Sequence, residues 1–133
     1  MVILMNKNHP LADRKEISLS ECKNESFINL NSKTSLQQFI DLLWKKSGHV
    51  PKNIMTCDYT LRDLMVSKNF GISITTMRAA RECNYNDVTF CKIIHPADKR
   101  KLGLVWCRSD NVFTSPMQKF YDAVTKMYNN ICF

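Results

Sequence analysis

Apolar residues recur along this chain in two rhythms. Val2-Ile3-Leu4-Met5 is a short unbroken run, which predicts a buried strand. Leu36, Phe39, Ile40 and Leu43 recur at helical spacing, which predicts a helix from Ser35 to about Lys46. Thr34 or Ser35, with Gln37 or Gln38 three residues on, reads as a capping box at its start. Gly48 and Pro51 mark its end. Asp58 is placed to cap a second helix, whose buried face is expected at Leu61, Leu64 and Met65.

The segments between helices read as strands. Phe27 to Leu30, Asn53 to Thr56 and Gly71 to Thr75 are short strands, while Val88 to Ile94 and Leu102 to Arg108 are rich in β-branched and aromatic residues. Ile17, Leu19 and Cys22 suit a short helix or turn, and Met77, Ala80 and Arg81 a helical turn. A last helix starts at Ser115-Pro116 as cap and first-turn proline, with Gln118 completing a capping box. Met117, Phe120, Tyr121, Val124 and Tyr128 line one of its faces. Strands alternating with helices predict an α/β fold, a mixed, mostly parallel sheet flanked by helices.

Composition narrows the function classes. At 133 residues, with 44% hydrophobic and 23% charged, the chain suits one soluble domain. No apolar run approaches a membrane span, and the N-terminal stretch lacks the pattern of a signal peptide, so no membrane and a cytoplasmic setting are expected. Cys22, Cys57, Cys83, Cys91, Cys107 and Cys132 show no C-x-x-C spacing and are expected to be reduced. The net charge of +7 is scattered, densest at Lys99-Arg100-Lys101, and reads as solvated surface. His9, His49 and His95 fall in separate loops, and neither a G-x-S-x-G, an H-E-x-x-H nor a P-loop occurs. No catalytic residue, metal site or cofactor is expected.

Four segments in order carry a family resemblance. They are His9-Pro10-Leu11-Ala12 before Ile17-Ser18-Leu19, then Phe27-Ile28, then Gly71-Ile72-Ser73-Ile74, and finally Leu102-Gly103-Leu104-Val105-Trp106 leading through Ser115-Pro116 to Phe120-Tyr121-Asp122-Ala123-Val124. This layout resembles the C-terminal half of the effector-binding domain of LysR-type transcription regulators. Where that family often ends the glycine-led strand with proline, this chain has Thr75 and Thr76.

The resemblance implies a fold like a type II periplasmic binding protein, with two subdomains joined by crossing strands. Residues of about 17–98 would form the second regulatory subdomain. Residues 1–6 and 102–133 would supply the crossing strands and a terminal helix of the first, and the winged helix-turn-helix would be absent. The resemblance further implies a regulator that binds a small effector between subdomains, meets DNA only through that missing N-terminal domain, and works as a homo-oligomer.

In such a fold a ligand sits near the carboxyl ends of the strands. Asn31, Ser32, Lys33 and Thr34 follow one strand and open a helix, where backbone N–H groups attract anions. Thr75 and Thr76 end another strand facing the same place. These six are the candidate effector-binding residues, and they suggest an anionic effector such as a carboxylate. The bland reading is that the hydroxyls merely cap helices. Two rivals remain: a DNA-binding helix-turn-helix over Leu64 to Arg81, with Arg78 and Arg81 as contacts, and a transporter-type solute-binding domain, which shares the fold.

Overall fold

A computed structural model of the chain describes residues 1–101, 103–105 and 114–129. The chain divides into two units, Met1–Arg100 and Lys101–Phe133.

The first unit is built on β1 (Val2–Asn6), whose five residues are all buried. It is flanked on both sides by antiparallel partners, β5 (Ser73–Thr75) and β6 (Val88–His95). β2 (Glu16–Ser18) pairs in parallel with β6, and β3 (Ser26–Leu30) in parallel with β4 (Lys52–Cys57). A parallel bridge from Phe27 to Ile72 joins these two pieces of sheet. β1 therefore runs against the other strands, and those others all point the same way. The sheet is mixed and mostly parallel, as the alternation of elements predicts.

α1 (Ser35–Ser47) covers one face of the sheet. Its Leu36, Ile40, Leu43 and Trp44 pack with Ile3, Met5, Phe27, Leu30, Ile72 and Ile74. Phe27 and Trp44 meet edge to face with ring centroids 4.8 Å apart. α2 (Tyr59–Ser67) and α3 (Met77–Arg81) cover the other face. There Val66 and Ala80 pack on Val2, Leu4 and Ile28. Side chains alternate across a strand, so Val2 and Leu4 meet the second pair of helices while Ile3 and Met5 meet α1.

Local chemistry sets the ends of these elements. The Thr34 hydroxyl accepts from Gln37 N–H, and Gly48 closes α1 in the left-handed conformation at φ 73°. The capping box at α1 is only half made. The Gln37 side chain turns away from Thr34, accepting from Leu30 N–H and donating to Asp41. Asp58 caps α2 by accepting from Leu61 N–H. Gly71 lies where a Cβ would stand 2.6 Å from Ser26 O, so glycine is what lets the chain run this close to β3.

Three expectations need correction. The Ile17 to Cys22 segment is not one helix or turn: Glu16–Ser18 is a strand held by β6, and only Leu19–Cys22 is a 3-10 turn. α2 buries Arg62, Val66 and Ser67, while Leu61 and Leu64 stand exposed at 40% and 38% and Met65 is half-buried. The reason is a buried guanidinium that no hydropathy scale would place inward. The last helix, α4 (Ser115–Asn129), already contains Ser115, and Gln118 donates to Asp122 instead of completing a capping box. Of the strand expected over Leu102 to Arg108, residues 103–105 carry no regular element and the rest lie outside the described residues. Cys107 and Cys132 also lie outside them.

The helix-turn-helix over Leu64 to Arg81 is not formed. Ser73–Thr75 is a strand on β1, and α3 behind it has only five residues. Among the described residues no helix is long and apolar enough to cross a membrane.

Candidate functional site

Because all strands but β1 run in one direction, their carboxyl ends share one edge of the sheet. Leu30, Cys57 and Thr75 end there, and each is followed within a few residues by a helix. The chain leaves β3 for α1 on one face and leaves β5 for α3 on the other. β3 and β5 are neighbours through the Phe27–Ile72 bridge. Their connections thus part to opposite faces, which makes this a topological switch point, the place where open α/β sheets bind ligands. Ile28 N–H donates to Ile72 O and Ile72 N–H to Ser26 O, both at 2.9 Å. Toward the carboxyl edge the Ser73 hydroxyl reaches across instead and donates to Ile28 O at 2.7 Å.

The six candidate residues fall on the two sides of this point. On the β3 side Asn31 shapes the loop. Its side-chain oxygen accepts from Lys33 N–H, and its carbonyl accepts from both the N–H and the hydroxyl of Thr34. Ser32 and Lys33 are exposed. The first turn of α1 holds no acidic residue, so nothing there offsets the positive end of the helix. Arg100 adds a guanidinium, donating to the Ser35 hydroxyl at 2.7 Å. On the β5 side Thr76 caps α3 by accepting from Ala79 N–H. Thr75 is fully buried, and its hydroxyl accepts from Arg62 Nη1 at 3.1 Å.

Arg62 and Arg100 are absent from the sequence-derived set. Arg62 is 1% exposed and donates through Nε and Nη2 to Asp63 Oδ1 at 2.8 and 2.6 Å. The Tyr59 ring lies 5.1 Å from its guanidinium carbon. One signal for it was present: Arg62 stands four residues before Val66, on the same helix face. Arg100 gave no such signal, since it lies far from Ser35 in sequence.

Among the described residues the edge offers donors and positive charge but no nucleophile–base pair. Burial, with Asp58 alongside, pushes the Cys57 thiol up and away from the reactive thiolate. His9 lies elsewhere, accepting from Leu11 N–H at Nδ1 with Nε2 3.3 Å from Glu25. Among the described residues no group of three or more His, Cys, Asp or Glu could hold a metal ion.

Comparison with known proteins agrees with this architecture. Residues 1–128 match the family described as the LysR substrate binding domain. The chain is 25% identical over 124 residues to the HTH-type transcriptional regulator YybE of Bacillus subtilis, covering 91% of this chain and 40% of that one. The crystal structure of HinK, a LysR family transcriptional regulator from Pseudomonas aeruginosa, superposes with a TM-score of 0.82 at 22% identity, covering 95% of this chain and 44% of that one. The effector binding domain of QuiR in complex with shikimate gives 0.73 at 24% identity, covering 98% and 62%. The chain therefore spans less than two thirds of the length of each.

Proposed function

The chain belongs to the LysR substrate binding domain family, and from that premise we propose that it senses a small anionic effector at the carboxyl edge of its sheet. The observation that carries this reading is the switch point between β3 and β5, flanked by the N-termini of α1 and α3. Asn31, Ser32, Lys33 and Thr34 would meet the effector from one side and Thr75 and Thr76 from the other. Backbone N–H groups at a helix start favour negative charge, and Lys33 adds to that field. Shikimate, the ligand of QuiR, is a carboxylate.

In this reading residues of about 17–98 form the second regulatory subdomain. Residues 1–6 and 102–133 would supply the crossing strands and the terminal helix of the first. The protein catalyses no reaction, acts in the cytoplasm and works as a homo-oligomer. A separate N-terminal domain contacts DNA, and the effector shifts the populations of the oligomer's states through its unequal affinity for them.

Titration of a carboxylate panel against the protein, Thr76→Val and Thr76→Ser tests the proposal. At least one carboxylate should bind saturably, Thr76→Val should weaken it, and Thr76→Ser should restore it. Equal affinity for all three proteins would remove Thr76 from the site, and no saturable binding by any anion would contradict the reading itself.

A further inference from the structure

The buried face of α2 holds a charge that the effector reading leaves unused. A guanidinium carries five N–H donors and no acceptor. In Arg62 three are engaged: Nε and one on Nη2 with Asp63 Oδ1, and one on Nη1 with Thr75 Oγ1. Two N–H groups remain without a protein acceptor among the described residues. Arginine stays protonated in proteins, so Thr75 Oγ1 can only accept from it. The Thr75 hydroxyl proton must then point elsewhere, and among the described residues Thr75 Oγ1 makes no other hydrogen bond.

Beneath the carboxyl edge, then, each of these atoms holds one hydrogen bond, yet two N–H groups of Arg62 and the Thr75 hydroxyl proton have no further acceptor among the described residues. Both side chains are closed off, at 1% exposure for Arg62 and 0% for Thr75. Unsatisfied buried donors are costly, and a buried cation more so. Asp63 offsets the charge through a single oxygen, and its side chain is 20% exposed. Tyr59, which lies against the guanidinium, is 46% exposed and sits at the start of α2, on the side of the edge. Outward movement of the Tyr59 ring would open the donors to that edge.

The geometry points to Arg62 and Thr75 as a donor pair that takes an anionic oxygen of the bound effector, a carboxylate or phosphoryl oxygen. This rests on the effector reading and deepens it: it adds Arg62 to the site and gives Thr75 the role of a hydrogen-bond donor. A ligand presenting a donor at this point is disfavoured, because the guanidinium has no acceptor and only the second lone pair of Thr75 Oγ1 could accept from it.

The test is an NMR titration of the whole chain, labelled with ¹⁵N, with acetate and separately with inorganic phosphate at constant ionic strength. Arg62 Nε–H should shift saturably with at least one anion. The arm that succeeds tells carboxylate from phosphate recognition. The affinity should fall roughly tenfold in Thr75→Val, the loss expected for one charge-assisted hydrogen bond, and should return in Thr75→Ser. Arg62→Met, read at the Thr75 and Thr76 amides, should abolish their anion-dependent shift. Should that variant fail to fold, the nearly isosteric Thr75→Val still decides.

Three results overturn the proposal, and they are distinguishable. Lys33 and Thr34 amides that respond while Arg62 stays still would keep the edge as a binding site but exclude the pair. An Arg62 shift unchanged by Thr75→Val would exclude Thr75 as donor. An edge where no amide or guanidinium responds to either anion would contradict the effector reading as well.

Discussion

Under α1 the sheet buries Ile3, Met5, Phe27, Leu30, Ile72 and Ile74, a nearly continuous apolar layer. Under α2 and α3 the same strands bury Asn6, Ser73 and Thr75 among Val2, Leu4 and Ile28, and the helix above adds Arg62 and Ser67. The strands are shared, so the difference comes from which alternate residues they present. The α1 face is held by removal of apolar area from water, a non-directional force. The opposite face adds directed bonds: Asn6 Nδ2 donates to Ser67 O, Ser73 Oγ to Ile28 O and Arg62 Nη1 to Thr75 Oγ1. Such bonds contribute little net energy each but fix which atoms meet. The first face makes the domain stable, and the second fixes the positions of polar groups near the carboxyl edge.

This contrast can be broken by mutation. Phe27→Ala, which empties the centre of the apolar face, should cost about 3–5 kcal/mol in denaturant unfolding. A loss below about 1 kcal/mol would mean that this face does not dominate stability. Asn6→Ala removes a buried donor to Ser67 O and the acceptor for Asn8 N–H. It should cost about 1–3 kcal/mol. Ser73→Ala leaves shape almost unchanged and removes one bond, so about 0.5–1.5 kcal/mol is expected. Either polar variant equalling Phe27→Ala would reverse the ranking of the two faces.

The last effect is one of pH. Burial on the α1 face pushes the Cys22 thiol from its ordinary 9.0 up to about 12, with Cys91, Glu25 and Glu21 adding to the rise. The folded state thus favours the neutral thiol. Its contribution is complete below about pH 9 and is lost as pH rises toward 12. Cys22→Ala should therefore flatten the alkaline fall in stability across that window, measured by thermal melts. An unchanged slope would place the titration elsewhere.

The two faces were also unequally legible in the sequence. The α1 face could be read directly, because Leu36, Ile40 and Leu43 keep helical period and Gly48 ends the helix where it should. The short segment Gly71 to Thr75 was legible as extended because its β-branched residues alternate. The α2 face was misread, because Leu61 and Leu64 are more hydrophobic than Arg62, yet Arg62 turns inward to Thr75 and Asp63. That choice depends on a partner thirteen residues away, which no local periodicity contains. β2 was missed for the same reason, since its three residues are a strand only through β6. Of the candidate site, the loop after β3 and the cap at Thr76 could be found from hydroxyl and amide placement. Their meeting at one switch point depends on β3 lying beside β5, a tertiary fact.

Hydrogen exchange with and without a carboxylate that raises the melting temperature tests the central claim most directly. Added protection should concentrate at residues 31–36 and 75–79, on both sides of the β3–β5 switch point. Protection confined to the opposite edge, around residues 8–11 and 68–70, would contradict a binding site at the carboxyl ends of these strands.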